Sequence, residues 1–189
     1  MDGKGDFWVF GYGSLMWRPG FPYGERRLAL VRGYHRRLCI YSHVHRGTPD
    51  RPGLVLGLDR GGSCRGVAFR VEGAQRDRVI AYLRERELVT SVYHEQWISI
   101  NVEGHTAPRR ALAFVVDRTH CQYTGKLGRE VSLQLIEQGI GLSGDNPEYV
   151  RNTAAHLLEL GIRDRDLIWY CDKLGMHLHA NNQADVSAR

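Results

Sequence analysis

The stretch Val9-Phe10-Gly11-Tyr12-Gly13-Ser14-Leu15-Met16-Trp17 constrains this chain more than any other. Phe7, Trp8, Val9 and Phe10 are aromatic or β-branched, the side chains that fit a pleated, half-buried surface, so a strand leads into it. Two glycines then bracket Tyr12. A backbone built this way turns sharply or lets another molecule approach closely. Ser14 and Leu15 follow at the strand end. Successive N–H groups after such a turn can point into one cavity and hold a carbonyl or a developing oxyanion. An ordinary glycine-rich turn has the same local pattern, so these residues alone leave both readings open.

Further along, residues 28–31 and 38–41 have the pattern of two strands separated by the basic segment 32–37. Residues 42–53 contain Gly47, Pro49, Pro52 and Gly53 and read as loop. A strand is expected over 54–58. Gly61-Gly62 then makes a hairpin turn into an alternating strand over 64–71. Two more strands are expected at 96–102 and 110–116, around a Gly/Pro-containing turn.

The first helix is expected over 74–87. Val79, Leu83 and Glu87 fall at i, i+4 and i+8 and therefore on one face. Glu87 extends the apolar stripe that should point inward, whereas Arg84 and Glu85 fall on the polar side. A carboxylate aimed at the interior is costly unless it is paired or used. It can be paired here by Arg84 or Arg86, so a helix-terminal salt bridge stands beside a chemical role.

From about residue 129 the pattern is helical. Val131, Leu135 and Ile136 form one short amphipathic stripe that Gly139 closes. Asn146-Pro147-Glu148 starts a second helix, with a capping side chain, proline in the first turn and an acid at the positive dipole end. Its stripe is Val150, Ala154, Leu157 and Leu158, and Gly161 stops it. Asp164 or Asp166 begins the last helix, with Leu167, Cys171, Leu174 and Leu178 as its stripe. Many strands, one intervening helix and a helical C-terminal third define an α+β chain. One domain over 7–179 is expected, with a flexible N-terminus at 1–6 and a disordered tail at 180–189.

Net charge is +5 and the isoelectric point about 9.2. The arginines are spread rather than clustered, so an anionic small molecule explains the excess as well as RNA does. No apolar run approaches the ~20 residues that span a bilayer. No secretory signal is evident, and Cys39, Cys64, Cys121 and Cys171 form no C-x-x-C pair. That pattern suits reduced thiols in a cytoplasm. His43-x-His45 and His177-x-His179 have metal-ligand spacing, but no third ligand or cysteine pair supports either. Metal binding is not expected.

The run "VFGYGSLMWRPGF" closely resembles the opening of ChaC-type γ-glutamylcyclotransferases, which carry a Tyr-Gly-Ser-Leu signature. Three further segments match that family in its order. Tyr82-Leu83-x-x-Arg86-Glu87, with Tyr93 after it, resembles the segment bearing the catalytic glutamate. Position by position, that glutamate falls on Glu87 rather than Glu85. His45-Arg46-Gly47-Thr48-Pro49-x-x-Pro52-Gly53 resembles the family's His-Arg-Gly segment. Asn146-Pro147-Glu148-Tyr149 matches its Asn-x-Glu-Tyr. The family has Gly-Tyr soon after the glutamate, whereas residues 88–92 here are longer and lack the glycine.

The resemblance implies a small mixed β-barrel of the γ-glutamylcyclotransferase type with flanking helices. It also implies conversion of glutathione into 5-oxoproline and Cys-Gly without a cofactor. Glu87 would be the catalytic acid/base, and Gly11, Tyr12, Gly13, Ser14, Leu15, Arg46 and Tyr149 would bind substrate. Glu148 is already accounted for by helix capping. No nucleic-acid or membrane partner is implied. The alternatives are a cyclotransferase for other γ-glutamyl amines or amino acids, and a non-catalytic ligand-binding homologue. A basic RNA-binding module rests only on net charge and Arg36-Arg37.

Overall fold

The computed structural model describes residues 5–88 and 91–178. They fall into two compact units, Met1–Ser42 with Leu54–Gly128, and His43–Gly53 with Arg129–Arg189. The expected tail at 180–189, together with His179, lies outside the described residues, as do Val89 and Thr90 in the segment after Glu87. Of the expected flexible N-terminus only Gly5 and Asp6 are described, and Asp6 pairs with Arg70 at 2.6 Å.

The first unit is built on a closed barrel. Its strands are β1 (Phe7–Gly11), β2 (Glu25–Ser42), β3 (Gly53–Val71), β4 (Tyr93–Val102) and β5 (Arg109–Val116), in the order β1-β3-β2-β4-β5. β1 runs antiparallel to β3, with Gly11 opposite Val67, and parallel to β5, with Val9 opposite Leu112. Paired on both sides, it is buried along its whole length. Closure leaves no strand edge open. Phe10, Phe69, Ile100, Leu112 and Phe114 are among the large side chains that fill this core.

Two expectations for the strands are corrected. Residues 28–31 and 38–41 belong to one continuous strand, β2, which runs straight through the basic segment. The basic side chains stay in the strand because neighbouring segments supply acceptors. Arg36 donates to the Tyr12 carbonyl at 2.5 Å and the Arg65 carbonyl at 2.7 Å, and Arg37 lies 3.9 Å from Asp59. Gly61-Gly62 is likewise no hairpin turn. Both residues lie in the left-handed region (φ 100° and 68°), yet β3 continues through them from Gly53 to Val71.

Asp59 on β3 is a buried charge with a full set of donors. Arg118 Nε lies 2.6 Å away, the Tyr123 hydroxyl 2.9 Å and the Arg60 N–H 2.8 Å. Burial pushes its carboxyl pKa up, but these hydrogen bonds outweigh it and hold the group below the usual carboxylate range. Helix α1 (Arg76–Glu87) follows β3 after a single 3-10 turn and buries Val79 and Leu83.

The second unit contains α2 (Arg129–Gln138), the short strand pair β6 (Ile140–Gly141) and β7 (Gly144–Asp145), α3 (Asn146–Glu159) and α4 (Arg165–Lys173). In α2 the expected stripe is rotated: Ser132 and Ile136 are buried, while Val131 is 47% exposed. Ser132 and Ile136 share the i, i+4 face, and a small hydroxyl residue can occupy a buried position that hydrophobicity alone would assign to its neighbour. The cap of α3 also shifts by one residue. Asp145, not Asn146, is the N-cap, its Oδ1 accepting from the Glu148 N–H at 2.7 Å. Such a cap stabilises a helix by about 1 kcal/mol. Asn146 is the first helical residue and is fully buried. Val150, Ala154 and Leu157 form the buried stripe as expected, with Thr153 among them. Asp164 caps α4.

Candidate active site

In the first unit the glycine turn is a tight fold-back. The chain leaves β1 at Gly11 and enters a 3-10 turn, Ser14–Met16, with the Met16 N–H donating to the Gly13 carbonyl at 2.9 Å. A Cβ at Gly11 would stand 3.1 Å from Leu15 Cβ and 3.3 Å from Met16 N, so the close return of the chain demands a small residue there. Gly13 is different: a Cβ there would meet only Leu56 Cδ1, at 3.8 Å. Among the described residues, none crowds a side chain at that position. The N–H groups of Ser14 and Leu15 begin the turn and have no acceptor within it. Tyr12 and Leu15 are buried, and Ser14 is exposed.

Glu87 is the last residue of α1, and its side chain is only 17% exposed. It follows Leu83, fully buried, by one helical turn, which is why it faces inward. Burial pushes its carboxyl pKa above the ordinary glutamate value, and the neighbouring Arg86 charge opposes that rise without cancelling it. Arg86 Nε lies 3.2 Å from Glu87 Oε1. The two readings of Glu87 therefore coexist: it is ion-paired, and it is a desolvated acid. Arg84 takes no part, being engaged with Glu95 on β4 at 2.6 and 3.1 Å.

Arg86 joins this glutamate to the glycine turn. Its Nη2 donates to Ser14 Oγ at 3.0 Å, and its Nη1 to the carbonyls of Arg18 (2.5 Å) and Pro19 (3.3 Å) and to the Tyr82 hydroxyl (3.0 Å). The sequence offered one signal for this role: Tyr82 and Arg86 are i, i+4 neighbours on one face. Arg36, which holds the Tyr12 carbonyl from β2, had no comparable signal. Tyr93 serves the core, its hydroxyl donating to the Leu56 carbonyl at 2.8 Å while its ring packs against Cys39, Ile40, Val92 and Val116.

In the second unit Arg46 and Tyr149 meet. The guanidinium lies over the Tyr149 ring, 5.3 Å from its centroid, and donates to the Asp145 carbonyl at 3.0 Å. His45 Nδ1 lies 2.9 Å from Ser143 Oγ. Glu148 is exposed at the capped start of α3. Among the described residues, no three His, Cys, Asp or Glu side chains gather so as to hold a metal. Burial pushes the thiol of Cys39 up to about 12 and that of Cys171 up to about 11. Neither offers a thiolate near neutral pH. No described helix is long and apolar enough to cross a membrane.

A closed five-stranded mixed barrel with this helical complement is the fold of the γ-glutamyl cyclotransferases. A glutathione-specific member from yeast, solved by crystallography, superposes with a TM-score of 0.79 over 94% of this chain and 100% of its own, at 21% identity. The model of the ChaC-like protein family matches residues 7–173, and the chain belongs to that family. It is 33% identical over 165 residues to the glutathione-specific gamma-glutamylcyclotransferase of Escherichia coli K12, covering 87% of this chain and 71% of that one. It is 36% identical over 162 residues to glutathione-specific gamma-glutamylcyclotransferase 1 of Homo sapiens, covering 84% and 73%.

Proposed function

We propose that this chain is a γ-glutamylcyclotransferase that converts glutathione into 5-oxoproline and Cys-Gly. The observation that carries the reading is the half-buried Glu87 tied by one guanidinium to the glycine turn, in a chain of this family. The substrate's own α-amine is the nucleophile. It attacks the γ-carbonyl, a C–N bond closes the five-membered ring, and the γ-amide C–N bond to cysteine breaks. No external nucleophile enters, and the entropic cost is small when a ring-like conformer is held.

An α-amine with a pKa of about 8 is mostly protonated at neutral pH and must lose that proton before attack. Glu87 takes it and returns it to the departing cysteine amine. Its raised pKa makes it a better base than an ordinary glutamate. The backbone of Gly11 to Leu15 holds the γ-carbonyl and the charge that grows on its oxygen. Arg46 and Tyr149 are assigned to substrate binding on the family motif, the guanidinium fork suiting a carboxylate. Arg46→Lys is expected to raise KM severalfold with kcat nearly kept; an unchanged KM removes Arg46 from the site. Glutathione as substrate and four free thiols fit a reducing cytoplasm and a small-molecule partner.

The test is 5-oxoproline release by purified protein from glutathione and, beside it, from γ-glutamyl-alanine. Turnover of glutathione well above that of the dipeptide is expected. The opposite preference would redirect the substrate class, a reading favoured only by the family glycine missing from residues 88–92. No release from either would leave a ligand-binding homologue.

A further inference from the structure

We propose that Arg86 is a positioning residue of this reaction, its guanidinium holding the glycine turn and the Glu87 carboxylate in one frame. The inference rests on the cyclotransferase reading above. It comes from how the fork is divided. Nε faces Glu87 as an ion pair, 3.2 Å from Oε1. Nη1 and Nη2 are given to the segment after β1: the Ser14 hydroxyl, the Arg18 carbonyl and the Pro19 carbonyl, with Tyr82 of the same helix as a fourth acceptor. A planar guanidinium presents these donors in fixed relative directions, so the acceptors it gathers are fixed relative to one another.

The form of this ion pair has a chemical consequence. A two-pronged, hydrogen-bonded pair would occupy both carboxylate oxygens and lower their affinity for the ammonium proton. An ion-pair contact of 3.2 Å leaves the carboxylate's lone pairs for a proton. Arg86 is also the charge that acts on Glu87. On α1, Arg84 is turned away to Glu95 of β4, and Arg18 of the turn contributes its carbonyl to Arg86 rather than its side chain. Lysine in place of Arg86 would keep the charge but could not span the three acceptors of the turn. Glutamine would lose both.

The experiment compares wild type, Arg86→Lys and Arg86→Gln by steady-state 5-oxoproline release across pH, with the Glu87 carboxyl titrated by 13C NMR and near-UV circular dichroism checking the fold. Arg86→Lys is expected to lower kcat roughly 10- to 100-fold, the scale of an ångström-level misplacement, with KM changing less. Its acid limb should stay where the wild type has it. In Arg86→Gln the Glu87 titration and the acid limb should both move up in pH, because the neighbouring positive charge is gone.

A merely structural arginine would lower melting temperature and leave both the limb and the titration in place. An active wild type whose Arg86→Lys and Arg86→Gln forms keep its kcat and pH profile overturns the inference while sparing the reading beneath it. A wild type inert toward every γ-glutamyl substrate overturns the reading, and the inference falls with it. Should Arg86→Gln fail to fold, Tyr82→Phe together with Arg86→Lys decides the matter: the first removes one acceptor of the fork and should cost only a fewfold in kcat.

Discussion

Glu87→Gln is expected to fold as the wild type, bind substrate, and lose 5-oxoproline release by a factor of about 10²–10⁴, the usual contribution of a positioned acid/base. Gln keeps the shape and cannot accept the ammonium proton. Retained turnover in that variant would remove Glu87 from the chemistry. The wild-type pH profile gives an independent view. The base form is the carboxylate, so kcat/KM should rise with pH as Glu87 ionises. Burial has raised that ionisation above the ordinary glutamate range, and the acid limb should sit there rather than near the unperturbed value of about 4.3.

Stability should run the other way. A carboxyl whose folded pKa is raised contributes stability fully present below its unfolded pKa, and that contribution is lost as pH rises through the folded one. At neutral pH the ionised Glu87 is therefore a net cost to folding, and the neutral Gln should melt no lower than wild type. A marked fall in melting temperature would mean that the Arg86 ion pair outweighs desolvation, contrary to the direction of the shift. Function and stability oppose each other at this one side chain.

Gly66→Ala is expected to cost about 1–3 kcal/mol, the range for overpacking a filled core. For a chain of this size that corresponds to roughly 2–12 °C in melting temperature. A Cβ at Gly66 would press against the Gly11 carbonyl oxygen and stand 2.8 Å from Phe10 Cζ. Phe10 is fully buried and cannot swing aside, so β1 must move away from β3. Because Gly11 leads into the Ser14–Met16 turn, catalysis should fall with stability.

Gly13→Ala makes the contrast. Its Cβ has room, so its melting temperature should fall less than that of Gly66→Ala. If substrate lies against that backbone, turnover should still drop. Thermal melts and 5-oxoproline assays on the two variants read both effects. A Gly66→Ala protein with wild-type melting temperature would show that the β1–β3 contact is looser than its geometry implies.

The parts of the fold that were legible in sequence are those whose signal is local. The aromatic run 7–10 had to be a strand, and β1 is one. Leu83 and Glu87 had to share a helix face, and the inward aim of Glu87 follows from that spacing alone. Val150, Ala154 and Leu157 are buried because four-residue spacing puts them on one stripe. The family motifs rest on similarly short segments.

What was not legible depends on groups supplied by distant residues. Arginines in 32–37 looked like an interruption of two strands because their acceptors, on the Tyr12 and Arg65 carbonyls and Asp59, lie on other segments. Gly61-Gly62 read as a reversal because a pair of glycines permits one. Whether the chain reverses or continues is decided by the strands beside it. Asp145 and Asn146 are both good caps, and only the observed hydrogen bond separates them. Arg86 stands next to Glu87 in the chain, but its grip on Ser14, Arg18 and Pro19 spans 67 to 72 residues. Periodicity tells which side of its own element a side chain takes. What waits on that side to accept its hydrogen bonds or exclude its water is settled only when the barrel closes.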